Sequence, residues 1–182
     1  MPKLLVLGLL LLASCQSAIP AQDIVGATFP TVTGTSLEGE DVVLPGPNWE
    51  GYSVLLIGYQ QDAQFDADRW LLGLIQAETP VRLLEVPTIP GLFVGMLEQT
   101  IDDGMRRGIP YEDWGSVVTV YGDDASVIRD FTGDERSNNM QVVLLDEEGV
   151  VLWEHHRGYS AREMANLDTK VRALLKSAGT AR

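Results

Sequence analysis

The chain has 182 residues, 26 of them acidic and 13 basic, for a formal net charge of −13, and it contains one cysteine. Such a charge repels nucleic acid and anionic lipid headgroups, so neither is expected as a partner. A single cysteine excludes a disulfide framework and a cysteine-built metal site, and the length is that of about one domain.

The amino end places Lys3 before the apolar stretch Leu4 to Leu12, which is too short to remain as a membrane-spanning helix and reads as a signal peptide over residues 1–14. Leu12-Ala13-Ser14-Cys15 resembles the bacterial lipobox. That resemblance implies cleavage before Cys15 and attachment of the mature chain to a membrane through a lipidated Cys15. Several acyl chains make such an anchor stable where one does not. Gln16, where an aspartate would imply inner-membrane retention, implies the periplasmic face of the outer membrane. Residues 15–27 then read as the lipidated cysteine and a linker, and 28–182 as the folded domain. Once Cys15 is lipidated, the domain has no thiol for redox catalysis.

Phe29 to Pro45 alternates polar and apolar residues around turn signals at Thr33–Thr35 and Glu38–Glu40, which predicts a β-hairpin. Ser53 to Tyr59 is a nearly continuous apolar run suited to a strand buried on both faces. A helix is predicted over 62–77, with Phe65, Leu72 and Ile75 at helical spacing, followed by a strand at Val81–Val86. Phe93, Leu97, Ile101 and Met105 recur every four residues and predict a second helix over 92–107, stopped by Gly108 and Pro110. Ser116–Tyr121 reads as a strand and Asp123–Asp130 as a short helix. Met140–Leu145, the turn Asp146–Gly149 and Val150–Trp153 make a second hairpin. Ser160 and Glu163 have capping-box spacing ahead of the stripe Met164, Leu167, Val171, Leu174 and Leu175, with Gly179 as the stop. This order predicts an α/β fold with a mixed central sheet covered by helices on both faces and an N-terminal hairpin.

Phe29-Pro30, Ser36–Gly39, Val42–Pro45 and Val54–Ile57 resemble the opening of redoxins and peroxiredoxins, members of the thioredoxin-like superfamily. Tyr59–Gln64 through Trp70, Asp103–Pro110, and Val143–Trp153 followed by Gly158 resemble the assembly-factor family of the mitochondrial ATP synthase. The resemblance implies a thioredoxin-like fold and an assembly or chaperone role. In redoxins the catalytic cysteines stand just after the first central strand, where the helix dipole lowers the thiol pKa. Here the equivalent stretch is Gln60 to Phe65, without cysteine, and Glu135–Asn139 lacks the proline that thioredoxins carry before the next strand. The expected role is therefore binding of a protein partner, in assembly or quality control.

Two clusters are candidates for that contact. Asp103, Met105, Arg106 and Arg107 end the second helix near Tyr111 and Trp114, a composition favoured at interface hot spots. Cations there also simply complement the helix-end dipole. Gln60, Gln61 and Gln64, with Asn138 and Asn139, form an amide rim suited to a peptide backbone, or one left vestigial. An enzyme or metal-binding role would draw on His155 or His156 with carboxylates, although strand alternation sends these two rings to opposite faces. Asp123-Asp124 and Asp146–Glu148 lack the regular spacing of a calcium loop and read as solvated turns. With no G-x-S-x-G, H-E-x-x-H or glycine-rich phosphate loop, no catalytic residue, metal or cofactor is expected.

Overall fold

A computed structural model describes residues 18–47, 49–91 and 98–180. The expected signal peptide, Cys15 and Gln16, and Phe93 and Leu97 of the second helix, lie outside the described residues. The strands are β1 (Val32–Ser36), β2 (Asp41–Leu44), β3 (Ser53–Gly58), β4 (Arg82–Ile89), β5 (Val118–Tyr121), β6 (Gln141–Leu145) and β7 (Val151–His155). The helices are α1 (Gln64–Gln76), α2 (Glu98–Gly108), α3 (Gly122–Thr132) and α4 (Ala161–Thr180). The strands form one mixed sheet in the order β2-β1-β5-β4-β3-β6-β7. β3, β4 and β5 run parallel, and the terminal hairpins add antiparallel pairs at each side.

Alternation along the central strands divides the core in two. Leu55 and Ile57 of β3 join Val86, Val120, Ile128 and Phe29 on the α3 face. Val54 and Leu56 join Ala67, Trp70, Leu74, Leu144 and Leu167 on the face covered by α1 and α4. Trp70 is fully buried and meets Trp153 and Tyr159 edge-on, with ring centroids 6.2 and 5.7 Å apart. Side chains of this size each contribute about 1.5–3 kcal/mol on burial. At the start of α4 the Glu163 N–H donates to Ser160 Oγ at 3.3 Å, the predicted cap.

Several expectations are corrected. Helix α1 is present, but Phe65, Leu72 and Ile75 face solvent, and Ala67, Trp70 and Leu74 face the core. Both triads have helical spacing, and the bulk of Trp70 settles which one is buried. Thr33–Thr35 is no turn but the middle of β1, and the hairpin turns at residues 37–40. Gly34 allows β1 to cross close over β5, since a Cβ there would stand 2.7 Å from Val118 Cγ1 and 2.8 Å from Thr119 O. Residues 111–116 form a 3₁₀ turn before β5. α4 runs through Gly179 to Thr180.

The segment read as a free linker is bound to the domain from Ile19 onward. The Ile19 N–H donates to Asp134 Oδ1 at 2.6 Å, and its carbonyl accepts from the Asp134 and Glu135 N–H groups. Ile24 is buried in the α3-face core. Gly133, at φ +78°, admits this strap, because a Cβ would collide with the Pro20 carbonyl. Such irregular backbone pairing leaves no periodic trace in sequence.

Candidate ligand-binding groove

The site grows from the end of β3. After Gly58 the chain passes through Tyr59 and Gln60 into a 3₁₀ turn over Gln61–Ala63 and then into α1. Ala63 is buried, and its N–H donates to the Gln60 carbonyl, which holds Gln60 and Gln61 at the rim. The Tyr59 hydroxyl bonds Thr132 Oγ1 at 2.7 Å, and its burial pushes the phenol well above its ordinary value. Met140 packs against Gly58 across the rim, and its N–H donates to Asp66 Oδ2 at 3.4 Å.

The sheet order explains the opening beside this rim. On one face, α1 sits over β3, while α2 is held near β5 by the Tyr121 hydroxyl, which donates to Asp102 Oδ1 at 2.7 Å. β4 lies between them, and its residues Leu83 and Glu85 floor a cavity of about 990 Å³ bounded by α1 on one side and by α2 and the 3₁₀ turn on the other. A second cavity of about 470 Å³ continues toward Gln60, Gln61 and Met140, and Glu85 lines both. Phe65 and Ile75, the exposed face of α1, form one apolar wall, and Met105 and Ile109 stand opposite.

Glu85 is 5% exposed. Burial pushes its carboxyl up to about 7, opposed by a hydrogen bond from Gln64 and reinforced by the negative charge of Asp68. Asp62, Asp68 and Asp113 also line the larger cavity, and among the described residues lining it there is no lysine, arginine or histidine. The arrangement presents a buried acid, with three further carboxyl groups, in a half-open trough walled in part by apolar side chains.

The sequence-predicted residues divide around this trough. Gln60 and Gln61 line the smaller cavity, and Gln61 and Met105 line the larger one. Asn138 is exposed and Asn139 packs beside Gly158; neither lines either of these two cavities. Asp103, Arg106, Tyr111 and Trp114 do come together: Arg106 pairs with Asp103 at 3.1 Å, lies over the Trp114 ring at 5.7 Å, and donates through Nε to the Leu37 carbonyl at 2.8 Å. Tyr111 meets Trp114 edge-on, and Trp114 Nε1 donates to the Ile109 carbonyl. This cluster fastens α2 to the β1–β2 turn and braces one wall of the groove. Arg107 is exposed, its Nη2 3.8 Å from where a Cβ on Gly104 would stand.

The histidines point apart. His155 stacks on Trp153 at 6.0 Å and bonds the Gly158 carbonyl through Nε2, whereas His156 Nδ1 meets Glu154 Oε2 at 3.0 Å. Among the described residues no group of three His, Cys, Asp or Glu is placed to hold a metal. Asp146 serves its own turn, accepting from the N–H groups of Glu148 and Val150, whereas Asp124 lies in the first turn of α3, not in a solvated turn, and accepts from the Thr33 N–H of β1. Glu85 is the residue sequence reasoning missed. Its signal was a carboxylate in the apolar run 81–86, on the same side of the strand as Leu83.

No family model and no curated protein matches the chain. Among solved structures, a SCO1/SenC family lipoprotein from Bacillus anthracis aligns with a TM-score of 0.57 at 9% identity, covering 84% of this chain and 99% of that one. The thioredoxin domain of a thiol-disulfide oxidoreductase from Bacteroides vulgatus aligns at 0.53 and 14% identity, covering 82% and 98%. An exposed lipoprotein thioredoxin from Streptococcus pneumoniae aligns at 0.52 and 12% identity, covering 78% and 99%. At these identities the likeness establishes the fold, and the chain has the thioredoxin-like fold.

Proposed function

We propose that this chain is an exported, lipid-anchored thioredoxin-like domain that works without thiol chemistry, as a binding module for a protein partner in assembly or quality control. The observation that carries the reading is the β3–α1 junction. It holds Gln60 to Phe65 where redoxins place their cysteines, and it opens onto an apolar trough. Disulfide exchange and peroxide reduction both require a thiolate at that position. A trough of this size that sets polar groups among apolar walls is a form that ligand sites take. The lipobox-like Leu12–Cys15 supports the anchor, as do the names of two structural neighbours as lipoproteins. The resemblance to an assembly-factor family supports the role.

Crosslinking in intact cells, followed by mass spectrometry of the captured species, tests the reading. The expected result is one specific partner, recovered with the tethered chain and depleted when Cys15→Ala abolishes lipidation. Recovery of no specific partner by the tethered protein overturns it.

A further inference from the structure

We propose that the trough over β4 receives a lysine of the partner's extended segment, the ammonium directed at Glu85 and the flanking apolar residues lying on Phe65 and Ile75. This rests on the reading above and names the chemistry that the site recognises.

Three observations converge on a cation with apolar neighbours. The first is the floor. Glu85 is nearly fully buried in β4 yet lines both cavities, so its carboxyl is reached from the trough and from little else. Gln64 supplies one hydrogen bond, and no ion pair to Glu85 occurs among the described residues. A carboxylate buried without a cation is costly, and an incoming ammonium group would remove that cost.

The second is the charge of the walls. Asp62 and Asp68 on the α1 side and Asp113 on the 3₁₀ turn add acids at the same opening, with no basic residue among the described lining. Arg107 stands at the margin, its Nη2 3.8 Å from where a Cβ on Gly104, a residue shared by both cavities, would be. It is exposed to solvent and is not among the residues lining either cavity. An anion would therefore meet four carboxyl groups, whereas a cation is drawn in.

The third is the apolar wall. Phe65 is 70% exposed and Ile75 62% exposed, nearly three turns of α1 apart along the edge of the trough. Large side chains left open beside a pocket are the usual anchors of a peptide's apolar residues. Lysine suits the geometry because its four-carbon stem can cross the apolar lining while its head reaches a buried acid.

The test is titration of the full chain, in detergent at pH 8, with the peptide acetyl-Leu-Lys-Leu-amide. Acetyl-Leu-norleucine-Leu-amide and hexylamine are titrated alongside, with binding read by calorimetry. A charge-assisted hydrogen bond in a sheltered site predicts that the lysine peptide binds at least about tenfold more tightly than its norleucine counterpart. Glu85→Gln should erase that preference, and Asp68→Asn, a gentler change at the rim, should reduce it in part. Asp146→Asn, in the distant β6–β7 turn, should leave it intact. Equal binding of the two peptides, or an unchanged preference in both Glu85→Gln and Asp68→Asn, overturns the proposal. Hexylamine binding as tightly as the lysine peptide overturns the assignment to a peptide. Failure here, with a partner still captured in cells, removes the lysine site and leaves the binding module standing.

Discussion

Glu85 carries the sharpest consequence at the scale of single residues. In an unfolded chain its carboxyl ionises near its ordinary value of 4.5, and in the fold near 7. Between those values the native state holds a proton that the unfolded chain has released, so stability falls as pH rises through that window. At about 1.4 kcal/mol for each pH unit, the native state is less stable above the window than below it by on the order of 3 kcal/mol from this group. Replacing Glu85 with glutamine removes the ionisation and keeps the shape. Denaturant unfolding at pH 4, 6 and 8 should therefore show the variant gaining on wild type as pH rises, by up to about 3 kcal/mol at pH 8. A wild-type-to-variant difference that stays constant over this range would mean that Glu85 ionises as an ordinary surface carboxylate. The pairwise comparison matters because the other titrating groups cancel in it.

At the scale of elements, helix α1 shows how far sequence pattern reaches. The strand Ser53–Gly58, the α4 cap at Ser160 and the β6–β7 hairpin were legible because each depends on local rules: an apolar run, a cap spacing, a turn glycine. The inward face of α1 was not, because apolar residues stand on both sides of it. Periodicity finds a stripe without saying whether the core or a groove lies beneath. The same ambiguity hid the site, since Glu85 and the exposed Phe65 and Ile75 acquire meaning only when, among the described residues, β4 floors a trough between α1 and α2. The Arg106 and Trp114 cluster was found by composition, but its use as a brace on the β1–β2 turn depends on a contact 69 residues away in sequence. Two substitutions separate the faces of α1. Trp70→Ala should cost about 3–5 kcal/mol, as fully buried aromatics do, and Phe65→Ser should change stability by no more than about 0.5 kcal/mol. The comparison is made in denaturant melts followed by far-ultraviolet circular dichroism. A Phe65→Ser loss approaching that of Trp70→Ala would reverse the face assigned to the helix.

Across the whole molecule, the sheet separates two cores that share no side chain. Ile128 belongs to the α3 face and Leu167 to the α1/α4 face, and both are fully buried. The strands couple them, because β3 sends Leu55 and Ile57 one way and Val54 and Leu56 the other. Loss of packing on either face uncovers β3, the strand paired with β4 and β6 on which both faces rest. A chain of about this length with such a shared central strand should unfold in one step, without a state that keeps one face. Ile128→Ala and Leu167→Ala should each cost about 2–5 kcal/mol. Because a strand layer separates the sites and they share no partners, the double variant should lose the sum to within about 0.5 kcal/mol. Tryptophan fluorescence, dominated on the α1/α4 face by Trp70 and Trp153, should give the same midpoint as circular dichroism in every variant. Midpoints that separate in Ile128→Ala, with fluorescence holding while circular dichroism falls, would show instead that the faces unfold independently. The domain would then carry its groove on a half that survives the loss of the other.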